Sequence, residues 1–140
     1  MTLTLDITSR IVDGALAEAR RLALRPMGVI VLDAGGYPMV YKREDHSALF
    51  RYEIAYGKAK GALGMGADTR QLAERAAANL PFYISLAAAT GGQLALAPGG
   101  LVIRDEAGHA IGAVAVSGDK ADLDEACAVA GRVAAGLRAP

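Results

Sequence analysis

Three ionisable residues with chemical potential lie close together at Arg43, Asp45 and His46. An imidazole titrates near neutral pH, so His46 beside Asp45 has the chemistry of a general base or of a metal or haem-iron ligand. The alternative is that Asp45 and His46 only cap a following helix and face water. Both interpretations stay open, and the catalytic hypothesis assigns proton transfer to His46 and Asp45.

Lys58 lies within a stripe of apolar residues at helical spacing, which includes Ala55, Ala59 and Leu63. A cation partly inside a face of small side chains is suited to a carboxylate or a haem propionate. In the alternative interpretation its ammonium reaches solvent beside Lys60. Together with Arg43, Lys58 favours an anionic ligand.

Three glycine turns adjoin strand-like segments: Asp33-Ala-Gly-Gly36, Pro98-Gly-Gly100 and Ser117-Gly-Asp119. Free backbone amides in such turns are able to converge on an anion, although most glycine pairs only make tight turns. The predicted ligand-binding residues are therefore Asp33, Arg43, His46, Lys58, Pro98, Gly99, Gly100, Ser117, Gly118 and Asp119.

Other kinds of site have little support in the sequence. No dinucleotide or P-loop glycine motif is present, and Ser117 lacks the Gly-x-Ser-x-Gly context of a hydrolase nucleophile. The single cysteine, Cys127, excludes an internal disulfide and a thiolate zinc site, and we expect no metal site. His109 falls in a predicted turn, where we expect it to be exposed.

Composition places the chain among small globular proteins. Its 140 residues suit one domain over 1–140, and fifteen basic against fifteen acidic residues disfavour a nucleic-acid partner. Charges, glycines and prolines interrupt every apolar run before membrane-spanning length, and no signal sequence is visible, so we expect a cytoplasmic protein without a membrane partner. The apolar content of 53% favours a homo-oligomer.

The pattern of elements that must position these residues is α-β-β-α-α-β-β-β-α. Helical periodicity begins near Thr8, Ser47, Asp68 and Asp122, the last two as capping boxes with Gln71 and Glu125, and a short apolar turn covers Ile84–Ala89. Predicted strands cover Gly28–Leu32, Tyr37–Arg43, Gln93–Ala97, Leu101–Arg104 and Ala110–Ser117. This order predicts an α+β layered domain with a largely antiparallel sheet.

In order along the chain, several motifs resemble the GlcG/HbpS family, also called the haem-degrading or DUF336 family, which includes the C-terminal domain of PduO-type proteins. The resemblance runs from about Thr4 to Gly131. The motifs are Leu32-Asp-Ala-Gly-Gly36, Lys58-Ala59, Thr69-x-x-Leu72, Pro98-Gly-Gly100, Gly112-Ala113, Val116-Ser-Gly118 and Asp124-Glu125.

The resemblance implies a profilin-like or PAS-like fold, with a five-stranded antiparallel sheet, helices on both faces and assembly into homo-oligomers. It implies haem binding, or an accessory role in glycolate or diol catabolism. The chain departs from the family pattern at His46, where many relatives have glycine, and at Asp119, where many have a second glycine. It has no histidine in its first 45 residues, so no N-terminal haem ligand is carried over.

The leading hypothesis is a protein that binds a small anionic molecule, either a tetrapyrrole or a small organic acid, in one pocket formed by the residues above. The cofactor is unassigned, with haem expected only from the resemblance. One alternative is a cofactor-independent enzyme acting on a small carboxylate or carbonyl compound, with His46 or Asp45 transferring the proton. Another is a structural or regulatory oligomeric subunit.

Overall fold

The computed structural model describes residues 1–137, which form five helices and one four-stranded sheet. The helices are α1 (Leu5–Arg21), α2 (Arg51–Met65), α3 (Thr69–Ala78), α4 (Leu80–Ala89) and α5 (Ala121–Ala134). The strands are β1 (Gly28–Asp33), β2 (Pro38–Arg43), β3 (Gly100–Arg104) and β4 (Ala110–Ser117). No helix within the described residues is long and apolar enough to cross a membrane.

The sheet is antiparallel throughout, with the strand order β2-β1-β4-β3. Both predicted hairpins, β1–β2 and β3–β4, are confirmed. The second hairpin turns at Asp105–Gly108, where Gly108 has the positive φ that glycine tolerates. The α+β class is therefore confirmed.

Two apolar layers enclose the sheet because successive strand residues point to opposite faces. On one face, Val29 and Val31 of β1 pack with α1 and α5. On the other face, Ile30 and Leu32 pack against the alanines Ala55 and Ala59 of α2. Small side chains on α2 let that helix lie close to the sheet.

The expected strand at Gln93–Ala97 was wrong, and with it the five-stranded sheet. This segment has no strand pairing and crosses α2, where a side chain on Gly57 would meet the Ala95 backbone nitrogen at 3.1 Å. Gly61 likewise faces Leu94. The glycines of α2 provide a groove for the segment, so its apolar residues are half-buried without joining the sheet.

Three predicted helix starts were also wrong. Thr4, not Thr8, caps α1 and accepts from the Ile7 amide at 3.2 Å. Helix α2 begins at Arg51 rather than near Ser47, and Lys120 precedes α5 without a capping box. Asp68 does precede α3, but its carboxylate accepts from the Val102 amide at 2.9 Å, so it joins α3 to the sheet instead of capping the helix.

Helices α1 and α5 cross at a contact that leaves no room for a β-carbon on Gly131. A side chain there would overlap the carbonyl oxygen of Ile11 and approach the backbone nitrogen of Ala15 at 3.2 Å. Both neighbours are backbone atoms of a packed helix, so neither is able to move aside cheaply. The small residue sets the distance between the two helices.

We expect Gly131→Ala to lower the free energy of unfolding by about 1–3 kcal/mol, because overpacking outweighs the better helix propensity of alanine. The matched control is Gly64→Ala in α2, where a β-carbon meets nothing within 4 Å. The control should be neutral or stabilising by up to about 1 kcal/mol. Urea unfolding measures both changes, and equal stability of the two variants would contradict the close crossing.

Candidate functional site

Lys58 is buried, with 3% of its surface exposed, and it lies opposite an equally buried carboxylate. Its Nζ donates to Asp124 Oδ2 at 3.1 Å and to the carbonyl oxygen of Val116 at 2.9 Å. These contacts join α2, β4 and α5 at the centre of the molecule. Lys58 therefore does bind a carboxylate, and that carboxylate is the chain's own.

The Asp124 carboxylate also receives the amides of the turn after β4. Gly118 N–H donates to Oδ2 at 3.3 Å and Asp119 N–H donates to Oδ1 at 2.9 Å. Burial raises the pKa of Asp124 and lowers the pKa of Lys58, because each charge loses its hydration. The opposite charge of the partner and the hydrogen bonds work against both shifts.

Gly99 and Gly100 adjoin this pair at very short range. A β-carbon on Gly99 would lie 2.8 Å from Lys58 Nζ, and one on Gly100 would lie 2.7 Å from the Lys58 carbonyl oxygen. Gly99 also has φ +129°, and its carbonyl accepts from the Val116 amide at 3.0 Å. The Pro98-Gly-Gly100 turn thus packs directly against Lys58. This close packing is a sufficient reason for the two glycines, independent of any ligand.

Asp119 and Asp33 are each engaged by backbone amides. Asp119 accepts from the amides of Arg25 at 2.9 Å and Lys120 at 2.8 Å, and these bonds lower the pKa of its carboxyl group. Asp33 accepts from the amides of Gly35 at 2.9 Å and Tyr37 at 3.0 Å. Asp33 also borders a cavity of about 290 Å³ beside the N-terminal residues.

Arg43, Asp45 and His46 line a separate cavity of about 560 Å³ between β2 and α2, which we call the β2–α2 cavity. Its other lining residues are Glu44, Ser47 and Leu49. Glu44 is neutralised by Arg20, with Nε to Oε2 at 2.8 Å, and it accepts from the Met27 amide. Among residues 1–137, neither Arg43 nor Asp45 has an ion-pair partner.

His46 has a positive φ of 66°, a left-handed conformation that is uncommon for a residue with a side chain. Such backbone costs roughly 1–2 kcal/mol relative to the right-handed region for an ordinary L residue. The resemblance described above implies glycine at this position, and this chain has an imidazole there instead. Unusual backbone of this kind clusters at functional sites, which makes His46 a candidate binding residue.

Ser117, expected at the pocket, is buried and accepts a hydrogen bond from Arg51 Nη1 at 3.1 Å. Sequence reasoning missed Arg51, and it missed Tyr41, whose phenolic oxygen is buried beside Gly28. It also left Asp124 out of the site although that residue is part of the Asp124-Glu125 motif. The alternation of β2 was a usable signal, because it places Tyr41 and Arg43 on one face of the strand.

The predicted site residues therefore lie in four places. Lys58, Pro98, Gly99, Gly100 and Gly118 surround the buried Lys58–Asp124 pair, and Asp119 donates its amide to that pair. Arg43, Asp45 and His46 line the β2–α2 cavity. Ser117 lies with Arg51 at the end of the sheet, and Asp33 stabilises its own turn beside the third cavity.

Two chemistries have little support from this geometry. In the part of the chain that the structure describes, no three histidine, cysteine, aspartate or glutamate side chains are grouped as metal ligands. Cys127 is buried, and burial raises the pKa of its thiol to about 11, so the thiolate is scarce at neutral pH. His109, at 3.6 Å from Asp105, is exposed in the β3–β4 turn as expected.

Comparison with known proteins identifies the family. The model of the haem-degrading HbpS-like family matches residues 3–132, and the chain belongs to that family. No curated protein matches the chain.

Solved structures share the fold over nearly the whole chain. The crystal structure of a PduOC–haem complex has a TM-score of 0.88 and 24% identity, covering 99% of this chain and 98% of that chain. The crystal structure of HbpS has a TM-score of 0.82 and 28% identity, covering 95% and 89%. Klebsiella pneumoniae ORFY, of family DUF336, has a TM-score of 0.88 and 21% identity, covering 97% and 92%.

Proposed function

We propose that this protein binds an anionic tetrapyrrole in the β2–α2 cavity, where the imidazole of His46 would ligate the iron. The observation that carries the proposal is the left-handed His46 on the wall of a cavity that is also lined by Arg43, whose guanidinium has no ion-pair partner among residues 1–137. Membership of the HbpS-like family and the similarity to HbpS support it.

The residues of this region fit the chemistry of haem. Haem presents an iron, a flat apolar face and two carboxylates, and it requires a nitrogen or sulfur ligand, apolar contact and a cation. His46 supplies the nitrogen ligand, and Arg43 supplies the cation. Leu49 and Phe50, 73% and 63% exposed, supply apolar surface on the same connection. A volume of about 560 Å³ falls within the roughly 300–1,000 Å³ of ordinary small-molecule sites.

The chain's own residues have distinct roles in this proposal. Bound haem would supply the redox and ligand chemistry of its iron, while Arg43 holds and orients a propionate. Leu49 and Phe50 exclude water from one face of the ring. No carboxylate oxygen of residues 1–137 lies within 4.0 Å of a His46 ring nitrogen, so the enzyme alternative finds no oriented aspartate–histidine dyad there.

Haemin titration tests the proposal through the Soret absorption band. Wild type should show a saturable shift of the band, and His46→Gly should weaken binding at least about tenfold, because a coordinate bond is lost. Glycine suits the positive φ, so this variant should keep or gain stability. The matched control is His109→Ala, which removes the other histidine and should bind as wild type does.

Two results would count against this function. Either wild type fails to saturate with haemin, or His46→Gly and His109→Ala bind it equally well. Turnover of small hydroxy or keto acids by a protein that does not bind haemin, lost in His46→Gly, would favour the enzyme alternative instead.

We also propose that the protein is a homo-oligomer that associates through α4. The sequence has no charged residue between positions 76 and 103, and α4 exposes three large apolar side chains, Leu80, Phe82 and Ile84. A second copy supplies the same uncharged surface, which allows the self-complementary contact of a two-fold dimer. The profilin-like or PAS-like classification remains part of the proposal.

Ile84→Glu should shift the protein to smaller species in sedimentation equilibrium, because it would bury a carboxylate in an apolar contact. Leu5→Glu on α1 is the control, since Leu5 is 65% exposed and Ile84 is 61% exposed. A wild-type monomer at all concentrations, or equal dissociation of both variants, would contradict association through α4.

A further inference from the structure

A cavity of about 290 Å³ lies at the opposite end of β1 from the β2–α2 cavity. Its walls come from the segment before α1, which includes Leu3, from the β1–β2 turn at Asp33 and Gly35, and from Ile111 of β4. We call it the Asp33 cavity. It shares no lining residue with the β2–α2 cavity, so it is a separate place for a ligand.

Two walls of the Asp33 cavity are apolar side chains of the protein core. Leu3 is 4% exposed and Ile111 is 8% exposed. Leu3 packs over Gly112, the strand partner of Asp33, where a β-carbon would lie 2.5 Å from Leu3 Cδ1. The missing side chain of Gly112 therefore brings an apolar group to the strand position next to Asp33.

Asp33 supplies the charged side chain of this cavity, and its own turn fixes the carboxylate. Oδ1 accepts from the amides of Gly35 at 2.9 Å and Tyr37 at 3.0 Å. The turn closes where the Gly36 amide donates to the Asp33 carbonyl at 3.0 Å, and Gly36 has a positive φ of 86°. Within residues 1–137 both side-chain bonds reach Oδ1, so Oδ2 keeps its acceptor sites for a ligand.

The cations near this turn are engaged with other groups. The ammonium of Met1, on the cavity wall, lies 3.8 Å from Asp105 Oδ2. Lys60 reaches the same turn, but its Nζ donates to the Tyr56 hydroxyl at 3.4 Å. Among residues 1–137 the Asp33 carboxylate has no ion-pair partner, and no lysine, arginine or histidine lines the cavity. The Asp33 cavity thus combines apolar walls with one unpaired negative charge.

From this geometry we infer that the Asp33 cavity binds a small primary amine. A protonated amine only donates hydrogen bonds, which suits the free oxygen of Asp33, and its alkyl chain suits Leu3 and Ile111. An apolar cavity of about 150 Å³ already holds benzene. The Asp33 cavity, at about 290 Å³, therefore has room for an alkyl chain of roughly four carbons. The inference goes beyond tetrapyrrole binding, because this site recognises a cation.

NMR titration with n-butylammonium at constant ionic strength tests this inference. The amides of Gly35, Tyr37 and Ile111 should shift saturably. Asp33→Asn should weaken binding at least about tenfold, because a charge-assisted contact is lost, while the asparagine carbonyl still accepts from the turn amides. The matched control is Glu106→Gln, which removes one negative charge from the exposed β3–β4 turn and should bind the amine as wild type does.

A ligand series on the wild-type protein keeps the test independent of how Asp33→Asn folds. Methylammonium has the charge without the longer alkyl chain, and n-butanol has the chain without the charge. Each should bind at least about tenfold more weakly than n-butylammonium, because each lacks one of the two contacts. Equal affinity for n-butylammonium and either of these two ligands would overturn the inference.

Other results would also contradict an amine site. These are the absence of a saturable shift up to tens of millimolar n-butylammonium, equal affinity of Asp33→Asn and wild type, and displacement of the amine by an equal concentration of sodium. Haemin binding is measured separately, and Asp33→Asn should bind haemin as wild type does. Loss of haemin binding in His46→Gly with amine binding intact therefore bears only on the tetrapyrrole proposal, and the reverse result in Asp33→Asn bears only on the Asp33 cavity.

Discussion

The buried ion pair of Lys58 and Asp124 is the constraint on which the centre of this molecule depends. Two charges removed from water are stable only when good geometry and further hydrogen bonds offset their lost hydration. Here the carbonyl of Val116 accepts from Lys58, and the amides of Gly118 and Asp119 donate to Asp124. The pair therefore fixes α2 and α5 against β4, and the adjoining positions 99 and 100 have room only for glycine.

This internal pair changes the meaning of the anion-binding elements. The lysine and the turn amides that suggested a ligand site already hold the carboxylate of Asp124. The cavity lined by Arg43 and His46, beside β2, is separate from this pair, and it is there that we propose the external ligand binds. In this proposal the structural carboxylate site and the ligand site are different parts of the molecule.

The fold was largely accessible from the sequence because periodicity and turns are local signals. Hairpins at Asp33–Gly36 and Asp105–Gly108 follow from glycine and aspartate at turn positions. The segment Gln93–Ala97 was wrongly predicted as a strand because a short apolar run fits a strand and a packed loop equally well. It packs as a loop because glycines on α2 leave a groove for it, and a groove on a distant helix cannot be read from a local sequence pattern.

The site was less accessible because its pairs are distant in the chain. Lys58 and Asp124 are 66 positions apart, as are Arg51 and Ser117, and no local pattern joins such residues. The place of Lys58 beside an apolar stripe predicts a partly buried cation, but nothing near it in the sequence points to Asp124. The sequence shows an imidazole at His46 near Asp45, whereas its left-handed backbone is a property of the folded structure.

A double-mutant cycle on Lys58 and Asp124 tests the central claim most directly. Urea unfolding of wild type, Lys58→Met, Asp124→Asn and the double variant gives the four free energies. Each single change should cost about 3–5 kcal/mol, because it leaves the other charge buried without its partner. The double variant should be less destabilised than the sum of the two by about 2–3 kcal/mol. Additive losses, agreeing within about 0.5 kcal/mol, would contradict the account.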